Sequence, residues 1–215
     1  FTSATGCWIT DEDGRTYLDG VGALEAMVVG HGRKRLADVA QQQMEELAFL
    51  DVFRYTSRPA LALAEKLSQL SPIPSAKVHF TPGGSEAVET AMKAALQFHY
   101  LRGEPDRRTF VGRNGAYHGV TFGAMSLGKS YYAMRNDIYL PDGLGISADA
   151  GASDEAEFGS GARHSSDAAR IEETILRVGP DRVAAVVVDP MSTASGVACP
   201  PPSDLVRIRE VCDRY

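Results

Sequence analysis

Three short stretches of the chain carry residue types whose order suits them to chemistry. In FTPGGSEAVET, residues 80–90, an apolar run ends in Pro82-Gly83-Gly84-Ser85 and an alanine-rich helical pattern begins at once. Adjacent glycines let backbone N–H groups approach an anion closely. The unpaired N–H groups and positive dipole end of the following helix attract negative charge to the same spot. Ser85 adds a hydroxyl donor, so the turn suits a phosphate group. The same residues also read as a plain strand-to-helix turn with Ser85 as an ordinary N-cap. The turn matches neither GxxxxGK[ST] nor GxGxxG, which counts against a mononucleotide or dinucleotide site.

The second stretch, Gly115-Ala116-Tyr117-His118-Gly119, follows another strand-like run and sets two flat polar-tipped rings between glycines. Such rings stack on a planar heteroaromatic ligand, or they pack as an ordinary loop. In the third, VAAVVVD at 183–189, Asp189 ends a continuous apolar run just before Pro190. A carboxylate in that place is costly unless paired. It serves as a ligand group, as a partner for a nearby cation, or as a turn-initiating Asp-Pro.

The elements that must position these residues alternate between strand and helix. KVHFT, RTFVG (108–112) and 183–189 read as strands. Helical periodicity covers 85–101, a short piece after His118, and the stretch with Ala168, Ile171, Ile175 and Val178 on one face. Continuous apolar strands separated by helices predict an α/β fold, a mostly parallel sheet sandwiched by helices. Ligands of such sheets sit at the carboxyl ends of the strands, where all three stretches fall. Upstream, WITDEDGRTYL (8–18) turns at Asp13-Gly14 and predicts a small β-ribbon. Two amphipathic helices, 33–50 and 59–70, follow it. We therefore expect an N-terminal segment over 1–50 and the first part of a larger domain over 51–215. Leu140 to Ser166 is rich in Gly, Ala, Ser and Asp without a sustained period and reads as a long loop.

Composition narrows the classes. Of 215 residues 44% are hydrophobic, enough for a buried core. The net charge of −6, with no basic cluster, argues against nucleic acid. Three cysteines without a CxxC pair predict neither a disulfide framework nor a metal site, and fit a reducing, cytoplasmic setting. No apolar run approaches the roughly 20 residues of a membrane span. The chain starts at Phe1 without a methionine and stops at Tyr215 inside an amphipathic pattern, so we expect it to be a piece of a longer protein.

Together, FTPGGSEAVETAMKAAL, GAYHGVTFGAMSL, VVVDPMSTASGVACPPPSDLVRIREVCDRY and the opening WITDEDGRTYLDGVGALEAMVVGHGRKRLADVAQQQ resemble the N-terminal portion of class III aminotransferases. These are pyridoxal-phosphate enzymes of the aspartate aminotransferase fold, fold type I. The resemblance implies that Gly83, Gly84 and Ser85 hold the cofactor phosphate, that Tyr117 and His118 lie at the pyridine ring, and that Asp189 lies near the ring hydroxyl. Asp189 stands where the family usually has glutamate, and Pro82-Gly83 where it often has Asn-Ser. Glu25 stands where amine-specific relatives carry an aromatic substrate-pocket residue, and Arg54 is a candidate clamp for a substrate carboxylate. The resemblance also implies pyridoxal 5'-phosphate as cofactor and a homodimer with the active site at its interface, to which the apolar 21–30 stretch contributes. The substrates would be a small-molecule amine and a keto acid.

The family's cofactor lysine lies well downstream of the acidic-Pro block. All five lysines, Lys34, Lys66, Lys77, Lys93 and Lys129, precede Asp189, so the Schiff-base lysine is expected beyond Tyr215 and the 215 residues alone are expected to be inactive. The expected reaction is transfer of an amino group to a keto acid. Alternatives are an aminomutase, racemase or decarboxylating transaminase of the same family, a non-catalytic fragment of the fold, and a nucleotide-binding α/β domain.

Overall fold

The structure is a computed structural model that describes residues 1–113, 116–128, 146–148, 167–193, 197 and 199–215. The chain divides into two compact units, Phe1–Val78 and His79–Tyr215.

The first unit opens with strands β1 (Ser3–Thr5), β2 (Trp8–Thr10) and β3 (Thr16–Leu18), an antiparallel meander in the order β1-β2-β3. The predicted ribbon is its β2-β3 half, with Trp8 opposite Leu18; β1 is an addition that the sequence did not signal. Gly14 adopts φ 79° in the turn, and Asp11 organises it. One Asp11 oxygen accepts from the backbone of Asp13 and Arg15, and the other accepts from the Tyr17 hydroxyl at 2.8 Å. A short turn, α1 (Gly22–Glu25), follows within the 21–30 stretch. Ala23, Leu24 and Glu25 there take left-handed φ values of 49°, 57° and 68°.

Helices α2 (Lys34–Leu47) and α3 (Arg58–Leu70) complete the unit, each slightly displaced from its predicted span. Ser57 caps α3 through the Ala60 N–H, with Pro59 in the first turn. Neither helix contains a buried residue; Leu36, Val39, Met44, Leu61 and Leu63 are exposed despite their helical spacing.

The second unit is the α/β part. Helix α4 (Gly84–Leu101) precedes strand β4 (Thr109–Arg113), and α5 (Phe122–Ser126) follows it. Then come β5 (Ile146–Ala148), α6 (Asp167–Val178), β6 (Val183–Val187) and α7 (Pro202–Arg214). The strands form a parallel sheet in the order β5-β4-β6, with Val111 of β4 opposite Ile146 on one side and Val186 on the other.

Alternation along β4 gives each face its own core. Val111 packs with Ala168, Ile171 and Ile175 of α6 and with Ile208 and Val211 of α7. Phe110 packs with Met92 of α4 and Leu127. Val111, Ile171, Ile175 and Leu127 are essentially sealed from water, each contributing about 1.5–3 kcal/mol. His99 ties α4 to β6, its Nε2 lying 2.9 Å from the Ala184 carbonyl and its Nδ1 2.9 Å from Glu104.

Two sequence expectations need correction. KVHFT is not a strand: it is irregular, because no described segment runs beside it to share a backbone ladder. The 140–166 stretch is not loop throughout, since Ile146–Ala148 extends along the open edge of β4; its remaining residues lie outside the described ones. Among the described residues no helix is long and apolar enough to cross a membrane, and no cluster of His, Cys, Asp and Glu is placed to hold a metal.

Gly112 is where the chain after α5 crosses β4. A β-carbon there would come within 1.5 Å of the Leu127 carbonyl oxygen. Backbone cannot yield as a side chain can, so Gly112→Ala is expected to cost at least about 3 kcal/mol, the upper end of ordinary overpacking. Chemical denaturation of the complete protein checks this.

Candidate active site

Helix α4 begins without a side-chain cap. Gly83 is its N-cap in extended conformation, and Gly84 and Ser85 are the first two helical residues. Ser85 is therefore not the N-cap that a plain turn requires. Its hydroxyl oxygen instead accepts the Val120 N–H at 3.0 Å, which leaves the hydroxyl proton available to donate. Thr81 donates its own hydroxyl to the Gly83 carbonyl at 3.0 Å and holds the turn in shape.

That Val120 contact brings the second stretch to the first. Gly119 has φ 134°, and a β-carbon there would lie 2.5 Å from Ser85 Oγ, so only glycine lets the 117–120 loop rest on the helix start. A second tie lies one turn along. Glu89 of α4 accepts from the Thr121 hydroxyl at 2.7 Å and from the Gly123 N–H at 2.9 Å at the start of α5. The loop bearing Tyr117 and His118 is thus fastened to the phosphate-suited turn by two residues of one helix.

His118 is half-buried, with Nε2 sealed from water and without a hydrogen-bond partner. Burial pushes its pKa below the ordinary imidazole value. Arg113 acts in the same sense, and Asp189 opposes. The third stretch therefore joins the others, with Asp189 close enough to influence His118. Asp189 is not free at the strand end: its Oδ1 accepts from an Arg113 N–H at 3.0 Å. Of the three roles the sequence left open for Asp189, the structure shows the partner for a cation. Arg113 carried no motif that would have singled it out. The alternation of β4, which puts it on the Val111 face, was the signal that could have found it.

Glu25 and Arg54 belong to the other unit. Glu25 ends the left-handed turn, whose Ala23 N–H is held by Asp19 at 2.9 Å; Asp19 also meets His31 Nε2 at 2.8 Å. Arg54 is exposed and lies 3.7 Å from Asp51.

The arrangement fits a phosphate-bearing aromatic cofactor. It offers uncapped helix N–H groups, one hydroxyl donor, and a buried ring nitrogen lacking a partner. Glu86 is an opposing charge beside the turn. Its carboxylate lies against Gly83, and as an exposed side chain it has solvent to turn into when an anion binds.

The family model described as Aminotransferase class-III matches residues 1–215. A probable aminotransferase of Mycobacterium tuberculosis is 38% identical, over 98% of this chain and 45% of its own length. Among solved structures, a transaminase from the marine bacterium Virgibacillus superposes with a TM-score of 0.87 at 31% identity, over 100% of this chain and 46% of that one. The omega transaminase of Pseudomonas jessenii in complex with PMP gives 0.85 at 30% identity, over 99% and 48%. The chain spans about half the length of the relatives it matches.

The lowered pKa of His118 makes stability depend on pH with a definite sign. Below about 6.5 the unfolded ring takes up a proton that the folded ring resists, so its contribution, full above that value, is lost as pH falls through the folded pKa. Denaturation midpoints of the complete protein between pH 7.5 and 5 are expected to fall, and to fall less in His118→Asn.

Proposed function

The chain belongs to the class III aminotransferase family, and from that premise we propose that the complete protein is a pyridoxal-phosphate-dependent transaminase moving an amino group from an amine or amino acid to a keto acid. The observation that carries this is the convergence of the uncapped α4 start, the 117–120 loop and Asp189 at one end of the parallel sheet. In this reading the N–H groups of Gly84 and Ser85 and the Ser85 hydroxyl bind the phosphate, with Gly83 keeping the approach open. Tyr117 and His118 flank the ring and exclude water from one side. His118, kept neutral by burial, has a nitrogen free to hydrogen-bond. Asp189 supplies a fixed negative charge.

When bound, pyridoxal 5'-phosphate supplies an electron sink that stabilises negative charge on the substrate carbon. The cofactor-bonding lysine belongs, in this proposal, to sequence beyond Tyr215. A homodimer in the cytoplasm completes the reading. Residues 1–50 serve as small-domain and interface segment, and 51–215 as the first part of the cofactor-binding domain. The exposed apolar side chains of α2 and α3 support a covered role for that face. Glu25 is proposed to select substrates with a second cationic group, and Arg54 to meet a substrate carboxylate.

The complete protein, supplied with pyridoxal phosphate, an amine donor and pyruvate, is expected to consume the keto acid in step with the amine. Uptake of cofactor without keto-acid consumption would sink the transaminase in favour of a racemase or mutase. Ser85→Ala is expected to weaken cofactor binding by roughly 10- to 100-fold, as befits the loss of a hydrogen bond to a charged group; equilibrium titration of the apoprotein reads it. Glu25→Gln is expected to lower kcat/KM for diamines while sparing monoamines.

A further inference from the structure

Arg113 is the last residue of β4 and is only 8% exposed, a rare state for a guanidinium without partners. Its two terminal nitrogens go to different carboxylates, one to Asp167 Oδ2 and one to Asp189 Oδ1, each at 3.0 Å. We propose that Arg113 is a positioning residue for the reaction. It holds Asp189 as a fixed anion at the cofactor site and is itself anchored from behind by the start of α6. This rests on the transaminase reading of the site.

The anchor is built in series. Asp167 opens α6, where the helix dipole favours its negative charge. Its backbone N–H donates to Asp204 Oδ2 of α7 at 3.0 Å, which ties the start of α6 to α7, while its carboxylate meets Arg113. Asp204 is buried as well. Among the described residues, the charged and titratable groups at Asp189 are Arg113 from β4, His118 from the loop after it and Asp167 from α6, which Asp204 of α7 meets from behind. Arg113 holds Asp189 Oδ1. A planar fork spans two carboxylates at once; a lysine, with one compact charge, reaches only one with comparable geometry. The side chain at 189 is also one carbon shorter than glutamate, so where its second oxygen lies depends on what grips the first.

The test uses the complete protein in Arg113→Met, Arg113→Lys, Asp189→Asn and R113M/D189N forms. Three quantities are read: thermal unfolding of the apoprotein, the Kd for pyridoxal phosphate, and the pH midpoint of the bound cofactor's visible absorption. R113M is expected to move the midpoint by at least half a unit and to weaken cofactor binding about tenfold. The double variant should move the midpoint no further than D189N alone. R113K is expected to restore apoprotein stability but not the midpoint.

If R113M lowers only the unfolding temperature, with midpoint and Kd as in the wild type, Arg113 is a structural bridge and the inference is wrong. It is equally wrong if the R113M shift adds to that of D189N. Should R113M not fold, Asp167→Asn removes the anchor alone; a shift that disappears when D189N is also present supports the proposal, and no shift, or one that persists beside D189N, overturns it. A wild-type protein that takes up no pyridoxal phosphate overturns the functional reading and this inference together. A wild type that titrates normally beside an indistinguishable R113M overturns this inference only.

Discussion

Strand β4 has a neighbour on each edge and a packed layer on each face, and the second unit follows from that confinement. Its backbone groups pair with β5 and β6, so neither edge is left open. Phe110 and Val111 point to opposite cores, and Gly112 must lack a side chain because another segment's backbone passes over it. A five-residue strand held on four sides has no freedom to shift register. Whatever leaves its carboxyl end does so in a fixed direction.

The two ends of that strand are finished by arginines with different partners. At the amino end, Arg107 donates to the backbone carbonyls of Pro180, Val183 and Tyr215 and lies 3.4 Å from the Glu104 carboxylate, a cage that pins the chain. At the carboxyl end, Arg113 meets two carboxylates, and His118 feels both signs of charge. The asymmetry matches the general rule that the carboxyl edge of a parallel sheet is where chemistry is placed. The first arginine mainly ties backbone segments together; the second holds two carboxylates from different elements.

The local pieces were legible because their causes are local. A turn glycine and alternating residues make the β2-β3 ribbon. Three- and four-residue spacing makes α4, α6 and α7, and a glycine pair opens α4. Failures fall where a distant partner decides. KVHFT has strand composition, yet an extended segment becomes a strand only beside another. Ile146–Ala148 has almost no signal, yet β4 offers it an edge. Arg113 looked like an ordinary charged strand end because its partners lie 54 and 76 residues away.

By itself, the sequence determined the fold class, the family and the three stretches that matter, since each is written in short-range composition and order. Only the tertiary structure decided what those stretches do to one another. Ser85 became the support of the 117–120 loop and not a cap, Glu89 became its second fastening, and Asp189 became the held partner of a buried guanidinium. The reason is that hydrogen bonds and ion pairs depend on distances of a few ångströms between atoms. Chain order alone does not set such distances for residues tens of positions apart.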